Sequence, residues 1–168
     1  MVAVLGLGSA VGQSAKDGVV RGNVYSNQYF KISLTLPPGM HAEDLASLNG
    51  RGKNEFLMLT AREGNTSSGI VLLAEKLNAG PSHIVDGKDF LRQVRKSWDE
   101  GQVFDGEEQR AQTNGLTFDE LDYEVPKVEF DSAIVTRVGD YLLVFRCNAK
   151  SREGLKVMND AVISMHHE

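Results

Sequence analysis

Phe56-Leu57-Met58-Leu59-Thr60-Ala61-Arg62 and Ile70-Val71-Leu72-Leu73-Ala74-Glu75-Lys76-Leu77 are two runs joined by the turn-rich Gly64-Asn65-Thr66-Ser67-Ser68-Gly69, and they decide how the chain folds. Successive side chains of a strand point to opposite faces. Here both alternating sets are apolar: Phe56 and Met58 against Leu57 and Leu59, Ile70 and Leu72 against Val71 and Leu73. Strands of this kind must be covered on both sides.

Upstream, Tyr29 to Leu36 alternates Phe30, Ile32, Leu34 and Leu36 against Lys31, Ser33 and Thr35, a strand with one wet face that Pro37-Pro38 ends. A short helix is expected from His41 to Leu48, with Leu45 and Leu48 inward, before the loop Asn49-Gly50-Arg51-Gly52. Downstream, Asp86 reads as an N-cap, and Phe90, Leu91, Val94 and Trp98 recur at helical spacing as far as about Glu100. A hairpin is expected about Asn114-Gly115, with Leu116 to Val125 as its second strand. After Pro126, the residues Val128, Phe130, Ile134 and Val138 share one alternating set, giving a one-sided strand that ends at the Gly139-Asp140 turn. Tyr141 to Ala149 returns antiparallel. A closing helix capped by Ser151 buries Leu155, Met158, Val162 and Met165. The expected class is α+β: an antiparallel sheet of about six to seven strands with helices on both faces, an α/β/α sandwich.

A chain of 168 residues forms one domain and buries roughly 68–70% of its unfolded surface, so it needs neither disulfide nor metal to fold. The net charge of −5 argues against a phosphate-tracking surface, and no nucleic-acid partner is expected. No apolar stretch reaches transmembrane length. The single Cys147 excludes an intramolecular disulfide and falls in the series Tyr141, Leu143, Phe145, Cys147, as a small core residue would.

Met1 to Ala15 carries no charged side chain. Gly6-Leu7-Gly8-Ser9-Ala10-Val11-Gly12 imitates the glycine turn of a dinucleotide site, but Gly18 and Gly22 break the helix that must follow, and Tyr29 to Leu36 ends without an acid. A secretory leader fits better. Val2 to Val11 has the length of an apolar h-region, and small residues suited to cleavage recur at Gly8/Ala10, Ala10/Gly12 and Gly12/Ser14. Its positive n-region is missing, which places the true start upstream or marks a truncation. The expected organisation is a leader-like or disordered segment at 1–21 and a single domain at 22–168.

Lys88, Arg92 and Lys96, with Arg95 beside them, lie opposite the apolar face of the first long helix and form a candidate contact for an acidic partner. Asp119, Glu120, Asp122, Glu124, Glu129 and Asp131 make an acidic stretch, in which Asp119, Asp122, Glu129 and Asp131 are the candidate cation contacts. No EF-hand spacing accompanies them. His166-His167-Glu168 reads as a frayed tail. His41 and Ser82-His83 lack the neighbours of a hydrolase or zinc-protease motif. No catalytic residue, metal ligand or cofactor is assigned.

Gly22-Asn23-Val24-Tyr25-Ser26-Asn27-Gln28-Tyr29-Phe30 leading into Leu34-Thr35-Leu36-Pro37-Pro38-Gly39 resembles the PsbP-like superfamily, whose plan opens with Tyr-x-Asn-x-x-Phe and a Pro-Gly stop. Gly115, Phe118 and Tyr123, the Gly139-Asp140-Tyr141 hairpin and the closing helix continue the resemblance from about Gly22 to Met165. Met40 stands where that group often has Trp. The group shares a fold and not a chemistry, so no functional residue carries over. The resemblance implies an exported bacterial module, periplasmic or secreted, that is non-catalytic and binds a protein or small ligand. The alternatives are a hydrolase-type enzyme with a site assembled from loops and, disfavoured, a dinucleotide binder through Gly6 to Gly12.

Overall fold

The computed structural model describes residues 18–43, 55–77, 84–97, 102–104 and 108–168. Along the chain these form β1 (Gly18–Arg21), β2 (Val24–Asn27), β3 (Ile32–Thr35), β4 (Met40–Ala42), β5 (Glu55–Glu63) and β6 (Gly69–Lys76). Helix α1 (Gly87–Ser97) follows, then β7 (Val103–Phe104), β8 (Gln109–Thr113), β9 (Leu116–Val125), β10 (Glu129–Val138), β11 (Tyr141–Ala149), α2 (Arg152–Ile163) and β12 (His166–His167).

The two-faced runs became β5 and β6, inside an antiparallel sheet ordered β4-β5-β6-β11-β10-β9-β7, with β8 also paired to β9. A smaller antiparallel sheet has the order β1-β2-β3-β12. One buried cluster joins Leu73, Leu121, Ala133, Val135, Leu142 and Val144 of the large sheet to Ile84 and Leu91. The other joins Leu72, Phe118, Ile134, Leu143 and Phe145 to Leu155, Met158 and Val162 of α2 and to Tyr25, Ile32 and Leu34 of the small sheet. Adjacent residues such as Ile134 and Val135 enter different clusters, as the two-residue period of a strand requires. Each fully buried Leu, Ile or Phe contributes about 1.5–3 kcal/mol by leaving water.

A β-bulge in β5 explains part of its apolar density. Leu57 pairs with Leu73 and Leu59 with Leu72, so Met58 is an extra residue. Met58 and Leu59 consequently enter the same cluster although they are neighbours.

Where six or seven strands are expected from sequence, the described residues form twelve in two sheets, of four and eight strands. The surplus consists of the short segments β1, β2, β4, β7 and β12, which pair without a long apolar alternation of their own. His41 and Ala42, expected to open a helix, pair in β4 with Arg62 and Ala61; residues 44–48 of that expectation lie outside the described residues. β10 is buried on both faces at its centre, with Asp131 to Thr136 all inside, while Val128 is 54% exposed. Its second set is mostly small or polar, Asp131, Ala133 and Val135, and so gave no apolar alternation.

The expected caps are present. Asp86 Oδ1 accepts from Asp89 N at 2.9 Å, and Ser151 Oγ accepts from Gly154 N at 3.1 Å. α1 runs to Ser97, and residues 98–101 lie outside the described residues. α2 ends at Ile163, two residues earlier than Met165 implied, with Ser164 as its C-cap. Met165 remains buried, and His166-His167, expected to fray, pairs with β3 through His166↔Ser33 and His167↔Ile32.

The Tyr-x-Asn-x-x-Phe motif has a direct physical role. Asn27 Nδ2 reaches the Tyr25 hydroxyl at 3.4 Å, while Asn27 Oδ1 accepts from Phe30 N at 3.1 Å and holds the β2–β3 turn. Tyr25 is 1% exposed, and a Cβ at Gly18 would collide with its ring, which fixes β1 against β2. Thus residues 18–21 of the leader-like segment are paired in β1. Met1 to Asp17, including Gly6 to Gly12, lies outside the described residues.

Candidate groove between the closing helix and the sheet

The β8–β9 hairpin turns on Asn114 (φ 49°) and Gly115 (φ 76°), the two positive values that a tight two-residue turn needs. Asn114 Nδ2 also donates to the carbonyls of Ser164 (3.3 Å) and Met165 (3.0 Å), tying the hairpin tip to the end of α2. Between hairpin and helix lies a cavity of about 370 Å³. Arg152, Leu155, Lys156, Asn159, Asp160 and Ile163 line it from one face of α2, at three- and four-residue spacing. Glu120 and Asp122 of β9, two residues apart and so on one face of the strand, meet them together with Phe130.

Asn159 organises the polar part. Its Nδ2 donates to Glu120 Oε1 at 2.7 Å and to Asp122 Oδ1 at 3.3 Å, while its Oδ1 accepts from Ser132 Oγ at 2.7 Å. Asn159 is 5% exposed and Ser132 fully buried, so the amide is held in one orientation. Burial, then the neighbouring Asp122 charge, push the Glu120 carboxyl up from 4.5 to about 7; the Asn159 amide opposes that rise. Glu120 is therefore divided between its charged and neutral forms near neutral pH.

The cations around the cavity have acid partners. Lys156 Nζ lies 2.6 Å from Asp160 Oδ2, and Arg152 lies 3.2 Å from Glu124 and 4.9 Å above the Phe130 ring. Arg110 is bidentate to Asp119, at 2.7 and 3.1 Å.

The candidate cation contacts are separated by this geometry. Asp122 faces α2, whereas Asp119, an odd number of residues away, faces the other side of β9. Asp131 pairs across the sheet with Tyr123, four residues and roughly 13 Å along β9 from Asp119. Burial, followed by the Glu129 charge, raises Asp131 from 3.8 to about 6, with Lys150 opposing. Glu129 itself lies 3.5 Å from Lys150. Among the described residues no group of three or more His, Cys, Asp or Glu is placed to hold a metal ion.

On α1, Arg92 pairs with Asp89 at 3.1 Å, and Arg95 lies 4.8 Å over the Phe104 ring and 3.9 Å from Glu108. Lys96 is exposed and Lys88 half-buried. His41 is exposed on β4, and Ser82-His83 lies outside the described residues. Cys147 is buried, and desolvation raises its thiol well above the usual range, which opposes thiolate chemistry. Sequence reading placed Glu120 in the acidic stretch but did not single it out, and it missed Asn159 and Ser132. Their convergence depends on how α2 lies across β9 and β10, and no local pattern encodes that crossing.

No family model matches the chain, and no curated protein matches it. Among solved structures, cyanobacterial PsbP (CyanoP) from Synechocystis sp. PCC 6803 is similar, with a TM-score of 0.61 at 15% sequence identity over 96% of this chain and 99% of that one. The fold is PsbP-like. No helix among the described residues is long and apolar enough to cross a membrane.

Proposed function

We propose that the chain is an exported PsbP-like module, periplasmic or secreted, that is non-catalytic and binds a protein or small ligand in the groove between α2 and β9. The carrying observation is the cavity of about 370 Å³, within the size range of ligand sites, where apolar side chains meet a few oriented polar groups. The non-catalytic reading draws support from the same network. Ser132 gives its hydrogen to the amide oxygen of Asn159, which cannot accept a proton as a general base does, so the hydroxyl is not activated. Both carboxylates accept from the structural amide.

Export is supported by the uncharged Met1 to Ala15 run. Each candidate cleavage position lies ahead of Gly18, so removal of a leader would leave β1 and its contact with Tyr25 in place. Two measurements test the reading. Mass spectrometry of the chain from fractionated cells should find an N-terminus within residues 9–16 in the extracytoplasmic fraction; a cytoplasmic chain retaining Met1 would count against export. Affinity capture from the envelope fraction should enrich a partner that is lost on substitution of the half-buried groove residue Ile163→Glu in a chain whose circular dichroism and melting show it still folded, and an unchanged capture would remove the groove from the binding surface.

A further inference from the structure

We infer that Asn114 is a site of spontaneous covalent modification, and that conversion of its amide to a carboxylate releases the β8–β9 hairpin from the end of α2. Three observations meet at this residue. Among the described residues it is the one asparagine that a glycine follows. Asn114 and Gly115 are both exposed at the hairpin tip, and a Cβ built on Gly115 would meet nothing within 4 Å, so no side chain crowds the Gly115 nitrogen. The Asn114 amide is itself the tie, its Nδ2 donating to the Ser164 carbonyl at 3.3 Å and to the Met165 carbonyl at 3.0 Å.

The reaction needs only water and base. The Gly115 nitrogen gives up its proton and attacks Asn114 Cγ; the new N–Cγ bond closes a cyclic imide as the Cγ–Nδ2 bond breaks, and Nδ2 leaves as ammonia with that proton. Water then opens the ring, its hydroxide adding to one imide carbonyl and its proton passing to the Gly115 nitrogen. Cleavage of the N–Cγ bond leaves Asp at position 114. Cleavage of the bond to the backbone carbonyl carbon leaves isoaspartate, in which the main chain runs through the side chain.

Either product undoes the tie. An ionised carboxylate has no hydrogen to donate, and it would face two carbonyl oxygens that accepted from the amide, so attraction becomes repulsion. Isoaspartate also adds a backbone carbon to a turn closed by the Thr113↔Leu116 rung, and a two-residue turn at φ 49° and 76° has no slack for it. The freed carbonyls belong to the end of α2, where Ser164 N–H donates to the Asp160 carbonyl and Met165 N–H to that of Val162. β8 and α2 line opposite sides of the groove, so conversion loosens one wall against the other. The tie also guards its own chemistry. Asn114 Cγ cannot swing onto the Gly115 nitrogen until both hydrogen bonds open, so the folded chain reacts only during that local opening.

The test incubates the full chain at pH 8 beside a blocked Thr-Asn-Gly-Leu peptide, with peptide mapping and an isoaspartate-specific methyltransferase reading position 114 apart from the second pair, Asn49-Gly50. Asp and isoaspartate should accumulate at 114 about tenfold more slowly than in the peptide, the factor that one net hydrogen bond supplies, and at the peptide's rate in urea. The aged protein, separated by charge, and Asn114→Asp should both exchange the Ser164 and Met165 amide hydrogens about tenfold faster than the fresh parent. Asn114→Gly keeps a turn that favours positive φ but carries no amide; its exchange should be fast from the start and unchanged by ageing. Conversion at 114 that is absent after about a hundred peptide half-lives, or as fast in the folded chain as in the peptide, would overturn the inference. Parent-like exchange in the aged protein or in Asn114→Asp would overturn it too, as would ageing that alters Asn114→Gly as it alters the parent. None of these readouts depends on the groove binding a ligand.

Discussion

Glu120→Gln should stabilise the protein at pH 8 and leave it nearly unchanged at pH 4. In the folded chain the carboxyl titrates at about 7, above the ordinary 4.5 it has when unfolded, so the native state binds more protons between those values. Stability therefore declines as pH rises through this window: the penalty is absent below about 4.5 and complete above about 7. The separation alone corresponds to about 3 kcal/mol at 1.36 kcal/mol per pH unit. Solvent reaches Glu120 through the groove mouth and screens its charge, which leaves about 1–2 kcal/mol. Gln keeps the geometry that accepts from Asn159 and removes the repulsion with Asp122. Urea denaturation at pH 4, 6 and 8 measures the difference, with the slope of free energy on denaturant expected to stay constant. A variant no more stable than its parent at pH 8, or equally stabilised at pH 4, would refute the account of burial and like charge.

Three further outcomes follow from packing. Asn27→Ala should cost about 1–2 kcal/mol in chemical denaturation, because the buried Phe30 N–H loses its acceptor and Tyr25 its hydroxyl partner; a neutral result would remove the structural reason for Tyr-x-Asn-x-x-Phe. Gly87→Ala should lower the melting temperature through a loss of about 1–3 kcal/mol, since the new Cβ would stand 2.6 Å from Asp119 Oδ2, which Arg110 holds in place. Cys147 should stay unreactive to a thiol reagent in the native protein and react at the rate of unfolding, and fast native labelling would contradict its burial.

The strong local signals located most of the large sheet. Asn114-Gly115 and Gly139-Asp140 each turn one strand into the next, β8 into β9 and β10 into β11, and Asp86 and Ser151 cap the starts of α1 and α2. What escaped was the pairing of segments too short to show a period, as at Met40–Ala42 and His166–His167, where a partner strand supplies the order that local sequence lacks. The groove shows the same limit. Glu120 and Asp122 could be placed on one face of a strand, but their meeting with Asn159 and Ser132 depends on the packing of α2 against two strands. The acidic stretch looked like one cluster because proximity in sequence hides the side-to-side alternation that sends Asp119 and Asp122 apart.

The β3–β12 pairing also orders events in time. Ile32 is matched by His167, so one edge of the small sheet is assembled from residues far apart along the chain, and the Glu168 N–H closes on the Lys31 carbonyl at 3.0 Å. A ribosome delivers β3 long before its partner. Loop closure of that span must be met before its contacts stabilise anything, which slows the step and places it late. Until His166 and His167 arrive, β3 presents an open strand edge above an apolar face, the kind of surface on which a holding chaperone would act.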